Sequence, residues 1–261
     1  MTVNNRTQDE IQRSCEQLAE LIATHQPCVV LTGAGVSTAS GIPDFRSPKG
    51  IWARYDPMEY ASIDAFLADP VKVWDFYRKR LHVLRDAEPN DGHRALAELE
   101  DRGWVRAVIT QNVDGLHERA GTRALVEVHG SIRTSSCLDC GAVVPFDAVV
   151  QLLAHAPAPA CPSCGRILKP DVVMFGELLP EAAIVRASQL ASEAVLMLVV
   201  GSTLEVYPVA GLPLDTLAAG GSLAIVNRGS TQFDHRASIV IDADSSVVLP
   251  AVLDVLRPDD Q

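Results

Sequence analysis

Short, continuous apolar runs alternate along this chain with stretches whose apolar residues recur every three or four positions. "PCVVLTGAG" (27–35), "VRAVITQN" (105–112), "VLMLVVGST" (195–203), "SLAIVNRG" (222–229) and "ASIVIDAD" (237–244) are largely apolar and run into glycine or polar residues. Runs of this kind suit strands covered on both faces, so they predict a parallel sheet. "ALVEVHGS" (124–131) and "KPDVVMFGE" (169–177) read as two further strands. Helical spacing occupies 8–25, 93–103, 180–194, a segment ending at 213–221, and 246–256. Alternating strands and helices predict an α/β fold with a Rossmann-like, doubly wound parallel sheet. Two stretches interrupt the alternation. Residues 47–91 show turns and short helices with no strand signal, and 134–168 hold four cysteines and several prolines.

One helix in the first interruption is sorted with a single exception. At about 100° per residue from an Asp69-Pro70 start, Val73, Trp74, Phe76, Tyr77, Leu81, Val83 and Leu84 share one half of the wheel. Lys72, Asp75, Arg78, Lys79, His82, Arg85 and Asp86 share the other, and Arg78 and Lys79 are expected in solvent. Arg80 projects into the apolar arc beside Val73, Phe76 and Tyr77. A guanidinium does not deprotonate there, and its desolvation is costly, so it calls for a negative partner. Asp64, or a snorkelling conformation, would satisfy it internally. A ligand carboxylate is the alternative.

Composition narrows the partners. The chain has 261 residues, 48% of them apolar, which is enough for one large domain with inserts. A net charge of −11 argues against nucleic acid or an anionic membrane as the partner. The start is polar and the apolar runs are too short to span a bilayer, so a soluble, cytoplasmic protein is expected. In that setting the six cysteines point to metal rather than disulfides. Cys137 and Cys140, then Cys161 and Cys164 after twenty intervening residues, form two CxxC knuckles that suit one structural zinc.

"TGAGVSTASGIPDFR" (32–46) places glycines directly after a strand, where backbone amides can approach a pyrophosphate. The pattern departs from the dehydrogenase fingerprint. Thr38 stands at the third glycine position, and no acid ends a strand about twenty residues on. Hydride transfer is therefore disfavoured. The other predicted strand ends carry Gln111-Asn112, His129-Gly130, Gly201-Ser202 and Asn227. Ligands of open α/β sheets sit at such ends, which makes His129 the candidate general base. His93 and His117 read as capping or packing residues, and the other four as surface residues.

Taken in order and spacing, "GAGVSTASGIPDFR", "TQNVDGLH", "EVHGS", the CxxC pairs, "KPDVVMFGE", "VVGSTLEVYP" and "AIVNRG" resemble the motifs of the sirtuins. These are NAD-dependent protein lysine deacylases, and the resemblance covers roughly 27–245. It implies a Rossmann-like NAD-binding domain of 1–46, 92–133 and 169–261. A small lobe would consist of a helical module, 47–91, and a zinc-binding module, 134–168. Cofactor contacts are implied for Gly33, Ala34, Gly35, Thr38, Asp44, Phe45, Arg46 and Trp52. Gln111, Asn112 and Asp114 would line the nicotinamide-ribose pocket. Gly201, Ser202, Thr203, Asn227 and Arg228 would hold the adenosine half.

His129, with Asn112, would be catalytic. The acyl-lysine peptide would lie along Val172, Val173, Phe175, Gly176, Glu177, Glu205, Val206 and Tyr207. The implied reaction releases nicotinamide, free lysine and O-acyl-ADP-ribose, and the implied protein is a monomer. Met174 stands where an aromatic is frequent, and Thr203 where serine is common. One sirtuin subgroup carries Tyr-x-x-Arg with an upstream alanine to bind succinyl- or malonyl-lysine, and Ala61, Tyr77 and Arg80 fit it. "PDFR" instead resembles deacetylase-type members, the acidic-acyl subgroup commonly having threonine where Asp44 stands. Mono-ADP-ribosyl transfer at the same site, or a zinc-ribbon binding module on an inactive nucleotide-binding domain, are the alternative functions.

Overall fold

The computed structural model describes residues 8–257. The outermost ends of the first and last segments assigned to the Rossmann-like domain, 1–7 and 258–261, lie outside the described residues. The chain opens with α1 (Gln8–Thr24) and β1 (Cys28–Thr32), then a 3-10 turn at Ala34–Ser40. Three helices fill the first interruption: α2 (Pro57–Tyr60), α3 (Ile63–Ala68) and α4 (Pro70–Asp86). There follow α5 (Asp91–Asp101), β2 (Ala107–Thr110), α6 (Leu116–Ala120) and β3 (Leu125–Glu127). Next come β4 (Gly130–Cys137), β5 (Val143–Pro145), α7 (Phe146–His155) and β6 (Leu168–Val172). The chain closes with α8 (Glu181–Glu193), β7 (Leu196–Val200), α9 (Leu212–Ala218), β8 (Ser222–Val226), β9 (Ile239–Ile241) and α10 (Ser245–Leu256).

Six strands form one parallel sheet in the order β3-β2-β1-β7-β8-β9. Its central strands are buried on both faces because successive side chains point to opposite sides. Val30, Val108, Leu198 and Ala224 meet Leu18, Ile22, Leu96, Leu99 and Leu249 from α1, α5 and α10. Val29, Leu31, Ile109, Met197 and Ile225 meet Ala187, Leu190 and Leu212 from the α8 and α9 side. The strand order reverses beside β1, where a doubly wound sheet opens a crevice.

The strand predicted at 169–177 is the main departure. It shrinks to β6 and leaves the parallel sheet, pairing antiparallel with β4 in a three-stranded sheet ordered β5-β4-β6. Pro170 explains the choice, since it cannot donate to a ladder and is tolerated on an edge strand. The run predicted at 124–131 likewise splits. β3 ends at Glu127, His129 lies in the turn, and Gly130 opens β4. The small sheet thus draws chain across the expected boundaries at 133/134 and 168/169.

α4 folds as its wheel predicts. Asp69 caps it by accepting from the Lys72 amide, Pro70 sits in the first turn, and Val73, Trp74, Phe76, Tyr77, Leu81 and Leu84 are buried. That face does not stand alone. It shares a core with Val149 and Leu153 of α7, Leu168 of β6, and Cys137 and Cys161. The Trp74 indole donates to the Leu168 carbonyl at 2.7 Å, tying the two interruptions together. Arg78, expected in solvent, instead donates to the Ala156 carbonyl at the end of α7, at 2.5 Å. A helix end needs such donors for its last carbonyls. Lys79 is the solvated one, paired with Asp75 at 2.6 Å. Among the described residues no helix is long and apolar enough to cross a membrane.

Candidate active site

The carboxyl ends of β1, β2, β7 and β8 open on a cavity of about 840 Å³ that runs between the parallel sheet and α4. All the non-cysteine site residues singled out from the sequence line it. The glycine turn after β1 is docked directly on the end of β7. The amides of Gly33 and Gly35 donate to the carbonyls of Val200 and Gly201, at 3.0 and 2.8 Å. A Cβ on Gly35 would lie 2.7 Å from Gly201 Cα, and one on Gly201 would lie 2.3 Å from the Val36 amide nitrogen. These glycines therefore let two loops touch backbone to backbone, besides opening the turn to a ligand. Thr38 donates to the Gly35 carbonyl at 2.9 Å, stiffening the turn while facing the cavity.

Next to the turn, the side chains after β2 form one connected polar group. Gln111 donates to Ser202 Oγ at 2.9 Å. Buried Asn112 donates to the Gly33 carbonyl at 3.2 Å and to Ser37 Oγ at 3.1 Å. Asp114 accepts from Ser37 Oγ at 2.7 Å and from the Leu116 amide at 2.9 Å. His129 Nδ1 lies 3.0 Å from the Gln111 carbonyl. A carbonyl only accepts, so Nδ1 carries the proton and Nε2 is left as an acceptor facing the cavity. Burial holds the His129 pKa below the ordinary histidine value, against the raising effect of the Gln111 hydrogen bond. Burial raises that of Asp114, partly offset by its hydrogen bonds. Ser37 and His117 lie within the quoted motifs, but neither was singled out there as a site residue. The only sequence signal for His93 is its place three residues after the capping Asn90.

Across the cavity, Arg80 lies 5.3 Å from the Phe45 ring and 5.1 Å from the Phe76 ring, measured to the centroids. It forms no ion pair with Asp64 or with any other acid among the described residues. Burial lowers its pKa, opposed by Tyr77 and Tyr55. Burial also pushes the Tyr77 phenol up to about 12, so both stay protonated. Ala61 lines the same end. Phe45 also packs on Trp52 at 5.2 Å, while its neighbour Arg46 pairs with Glu205 at 3.2 Å. Asp44 accepts the Ser47 amide at 2.9 Å and so shapes the loop.

The segment after β6 joins His129 to this end of the cavity. The Val173 amide donates to the His129 carbonyl at 2.9 Å, and the Phe175 amide to the Ala61 carbonyl at 2.8 Å. The Glu177 carboxylate is committed to buried Lys169, at 2.9 Å, and to the Met174 amide, at 2.8 Å. The amides of Val173, Met174, Phe175 and Glu177 are all engaged within the protein. At the far end, Asn227 donates to the carbonyls of Arg228 and Gly229, at 3.1 and 3.0 Å, and Arg228 pairs with Asp244 at 2.9 Å. Thr203 donates to Glu205 at 3.1 Å.

The four clustered cysteines lie away from this cavity, and their sulfurs all fall within 4.8 Å of one another. A tetrahedral zinc with Zn–S bonds of about 2.3 Å needs S–S separations of roughly 3.8 Å. The observed Cys137–Cys164 and Cys140–Cys161 separations are 3.4 and 3.6 Å. The two knuckles repeat one turn, with Gly141 and Gly165 at φ 73° and 77° donating to the carbonyls of Cys137 and Cys161. The donor set fits zinc and fills its four positions, which makes the site structural.

A parallel sheet with polar groups converging at its carboxyl ends, joined to a lobe with a tetrathiolate site, defines a nucleotide-binding α/β protein with a structural metal. The sequence pattern described as the Sir2 family matches residues 33–208, and the chain belongs to that family. A relative from Sulfurisphaera tokodaii, named NAD-dependent protein deacetylase, is 44% identical over 93% of this chain and 96% of its own length. One from Pyrobaculum aerophilum, named NAD-dependent protein deacylase 2, is 45% identical over 92% and 95%. Among solved structures, Sir2 with a p53 peptide and NAD+ superposes with a TM-score of 0.84 at 38% identity, covering 91% of this chain and 96% of that one. A Sir2 protein bound to a propionylated peptide gives the same TM-score and identity over 92% and 97%.

Proposed function

We propose that this chain is an NAD-dependent protein lysine deacylase. It removes acetyl groups and also acidic acyl groups such as succinyl and malonyl, releasing nicotinamide and O-acyl-ADP-ribose. The observation that carries this reading is His129. Its Nδ1 is committed to the Gln111 carbonyl, and its bare Nε2 opens on the cavity that Asn112 and Asp114 share. NAD, when bound, supplies an activated ribose carbon that exchanges nicotinamide for the acyl oxygen. In this reading the turn at Gly33, Ala34, Gly35 and Thr38 holds the phosphates, and Asp44, Phe45, Arg46 and Trp52 cover them. Gln111, Asn112 and Asp114 orient the ribose. Gly201, Ser202, Thr203, Asn227 and Arg228 hold the adenosine half.

His129 Nε2 takes the proton of a ribose hydroxyl. Its lowered pKa keeps it neutral, and so able to accept, at physiological pH. His129 then loses this capacity as pH drops through a pKa below the ordinary histidine value. The peptide adds as an extended strand between the backbones of 173–177 and 205–207, with Val172 and Phe175 beside the acyl-lysine. One zinc holds the small lobe, and the enzyme works as a cytoplasmic monomer built from the Rossmann-like domain and the two modules assigned above. The relatives named deacetylase and deacylase support the reaction, and the propionyl-peptide complex of a relative supports tolerance of more than acetyl.

The acidic-acyl part rests on Arg80, a half-buried cation that lines the cavity beside Tyr77 and Ala61 with no carboxylate partner among the described residues. A hydrogen bond to a charged group contributes about 1.5–3 kcal/mol, or roughly 10- to 150-fold. Mass spectrometry of one lysine peptide carrying acetyl, succinyl or a long-chain acyl group, with and without NAD, tests the whole reading. The wild type should release free lysine and O-acyl-ADP-ribose in equal amounts, and only with NAD. His129→Ala should remove most turnover. Arg80→Met should cut desuccinylation by about tenfold or more and deacetylation far less. Equal losses for both acyl groups would remove the carboxylate pocket. ADP-ribose on protein rather than on the released acyl group would make the chain a mono-ADP-ribosyltransferase.

A further inference from the structure

Behind the polar group of the cavity lies a second layer of buried side chains. Ser37 Oγ has one proton and meets three partners. The Asn112 amide nitrogen, 3.1 Å away, can only donate to it, and Asp114 Oδ2, 2.7 Å away, accepts from it. The Ser37 proton is thereby assigned to Asp114. The third partner, His93 Nε2 at 3.4 Å, must then donate. The other face of that ring agrees, because His93 Nδ1 receives the Asn90 backbone N–H at 3.4 Å and is bare. Asn90 is itself held by the Val36 carbonyl at 2.8 Å and by Ser40 Oγ at 3.0 Å, both in the glycine turn. Each link is buried or partly buried.

We propose that His93 is a positioning residue. The Asn90 backbone amide fixes its Nε2–H tautomer, which commits the Ser37 hydroxyl proton to Asp114. Asp114 is thereby kept an ionised acceptor for the ribose hydroxyls of the dinucleotide. This rests on the NAD-binding reading of the cavity. Burial lowers the His93 pKa to about 4, so the ring stays neutral in the working range. The other ionisable groups facing the network are known. His117 lies edge-on to His93 with centroids 4.8 Å apart, and Arg94 adjoins it on α5. Arg119 of α6 faces Asp114 and lowers its pKa, and Glu127 of β3 feels its charge. His93 faces the cavity only through Ser37, so its removal acts on Asp114 and not on the reacting atoms.

The test compares His93→Leu with His93→Gln in the full chain, reading kcat/KM for NAD against pH. Leucine removes the donor, while glutamine places an amide donor where Nε2 stood. In His93→Leu the Ser37 proton is free to turn away, so Asp114 protonates more readily. The acid limb should move up by about one pKa unit, with roughly tenfold more activity lost at low pH than at high pH. Glutamine should restore most of the wild-type profile. A uniform loss at every pH, or glutamine no better than leucine, overturns the proposal. Long-range proton–nitrogen NMR of the wild type provides a second readout that needs neither ligand nor variant. It should find His93 protonated on Nε2 and bare on Nδ1, and the opposite tautomer overturns the proposal. If the NAD reading itself is at fault, the wild type shows no NAD-dependent turnover while this tautomer is still observed.

Discussion

The buried histidine pair makes the fold sensitive to mild acid, and the effect has a calculable size. Burial, reinforced by the neighbouring Arg94, depresses His93 to about 4. Burial, reinforced by His93, depresses His117 to about 3. In the unfolded chain both return to about 6.5. As pH falls through that value the unfolded chain takes up a proton at each histidine, and the folded chain does not. Unfolding therefore binds protons, so this stability is complete above about pH 6.5 and is lost as pH falls towards the folded values. Integrated from about pH 8 to about pH 5.5, the loss is between roughly 1 and 2 kcal/mol per histidine, about 3 kcal/mol for the pair. That is a large share of the roughly 5–15 kcal/mol of a typical domain.

His129, also lowered, adds in the same direction, and Asp114, raised by burial, works in the opposite one. The measurement is urea unfolding followed by tryptophan fluorescence at the two pH values, in excess zinc, for the wild type and His117→Gln. Glutamine does not titrate, so the variant should lose about half as much stability from the pair as the wild type does. Because zinc, His129 and Asp114 are common to both proteins, the difference isolates one proton. Identical pH slopes in the two proteins would refute the reasoning.

Two further perturbations separate packing from chemistry. Chelating the zinc should abolish activity although no cysteine lines the cavity, because Cys137 and Cys161 share a core with α4. Near-ultraviolet dichroism from Trp74 should be lost with it and return on adding zinc, since structural zinc contributes of the order of 10 kcal/mol to folding. Gly201→Ala, with φ 61° and a Cβ 2.3 Å from the Val36 amide nitrogen, should destabilise the protein severely and eliminate NAD binding by calorimetry. Gly41→Ala, at φ 83° but with nothing within 4 Å of its Cβ, should cost only the backbone strain, about 1–2 kcal/mol.

What the chain disclosed beforehand followed from locality. The strands of the parallel sheet were legible because burial on both faces leaves a continuous apolar run, and α4 because one buried face leaves a helical stripe. Arg80 was legible as an exception to that stripe. β6 was misplaced because an apolar run does not say which sheet it joins, although Pro170 marked it as unfit for an interior strand. Arg78 was misread because its partner, the Ala156 carbonyl, belongs to a helix far along the chain. The link from Ser37 to His93 was invisible for the same reason: it joins three stretches far apart in the chain, 36–40, 90–93 and 112–114, and Ser37 and His93 alone are ordinary turn and cap residues. The cavity lining was recovered through the family's motifs taken together, which no single spacing could supply.

The common core of α4 and the cysteine-bearing segment has a bearing on how such a protein can be altered by recombination. In the linear chain, 47–91 and 134–168 are separate insertions that could be exchanged one at a time with those of a relative. In space, the indole of Trp74 closes on Leu168, and the buried face of α4, which includes Tyr77, shares one core with Val149 and Leu153 of α7. A chimera that imports only the first insertion places a foreign helix on a native ribbon, with mismatched volumes along the whole seam. The two insertions are therefore one heritable unit, and a donor's acyl pocket travels intact only when its metal-bearing neighbour is carried with it.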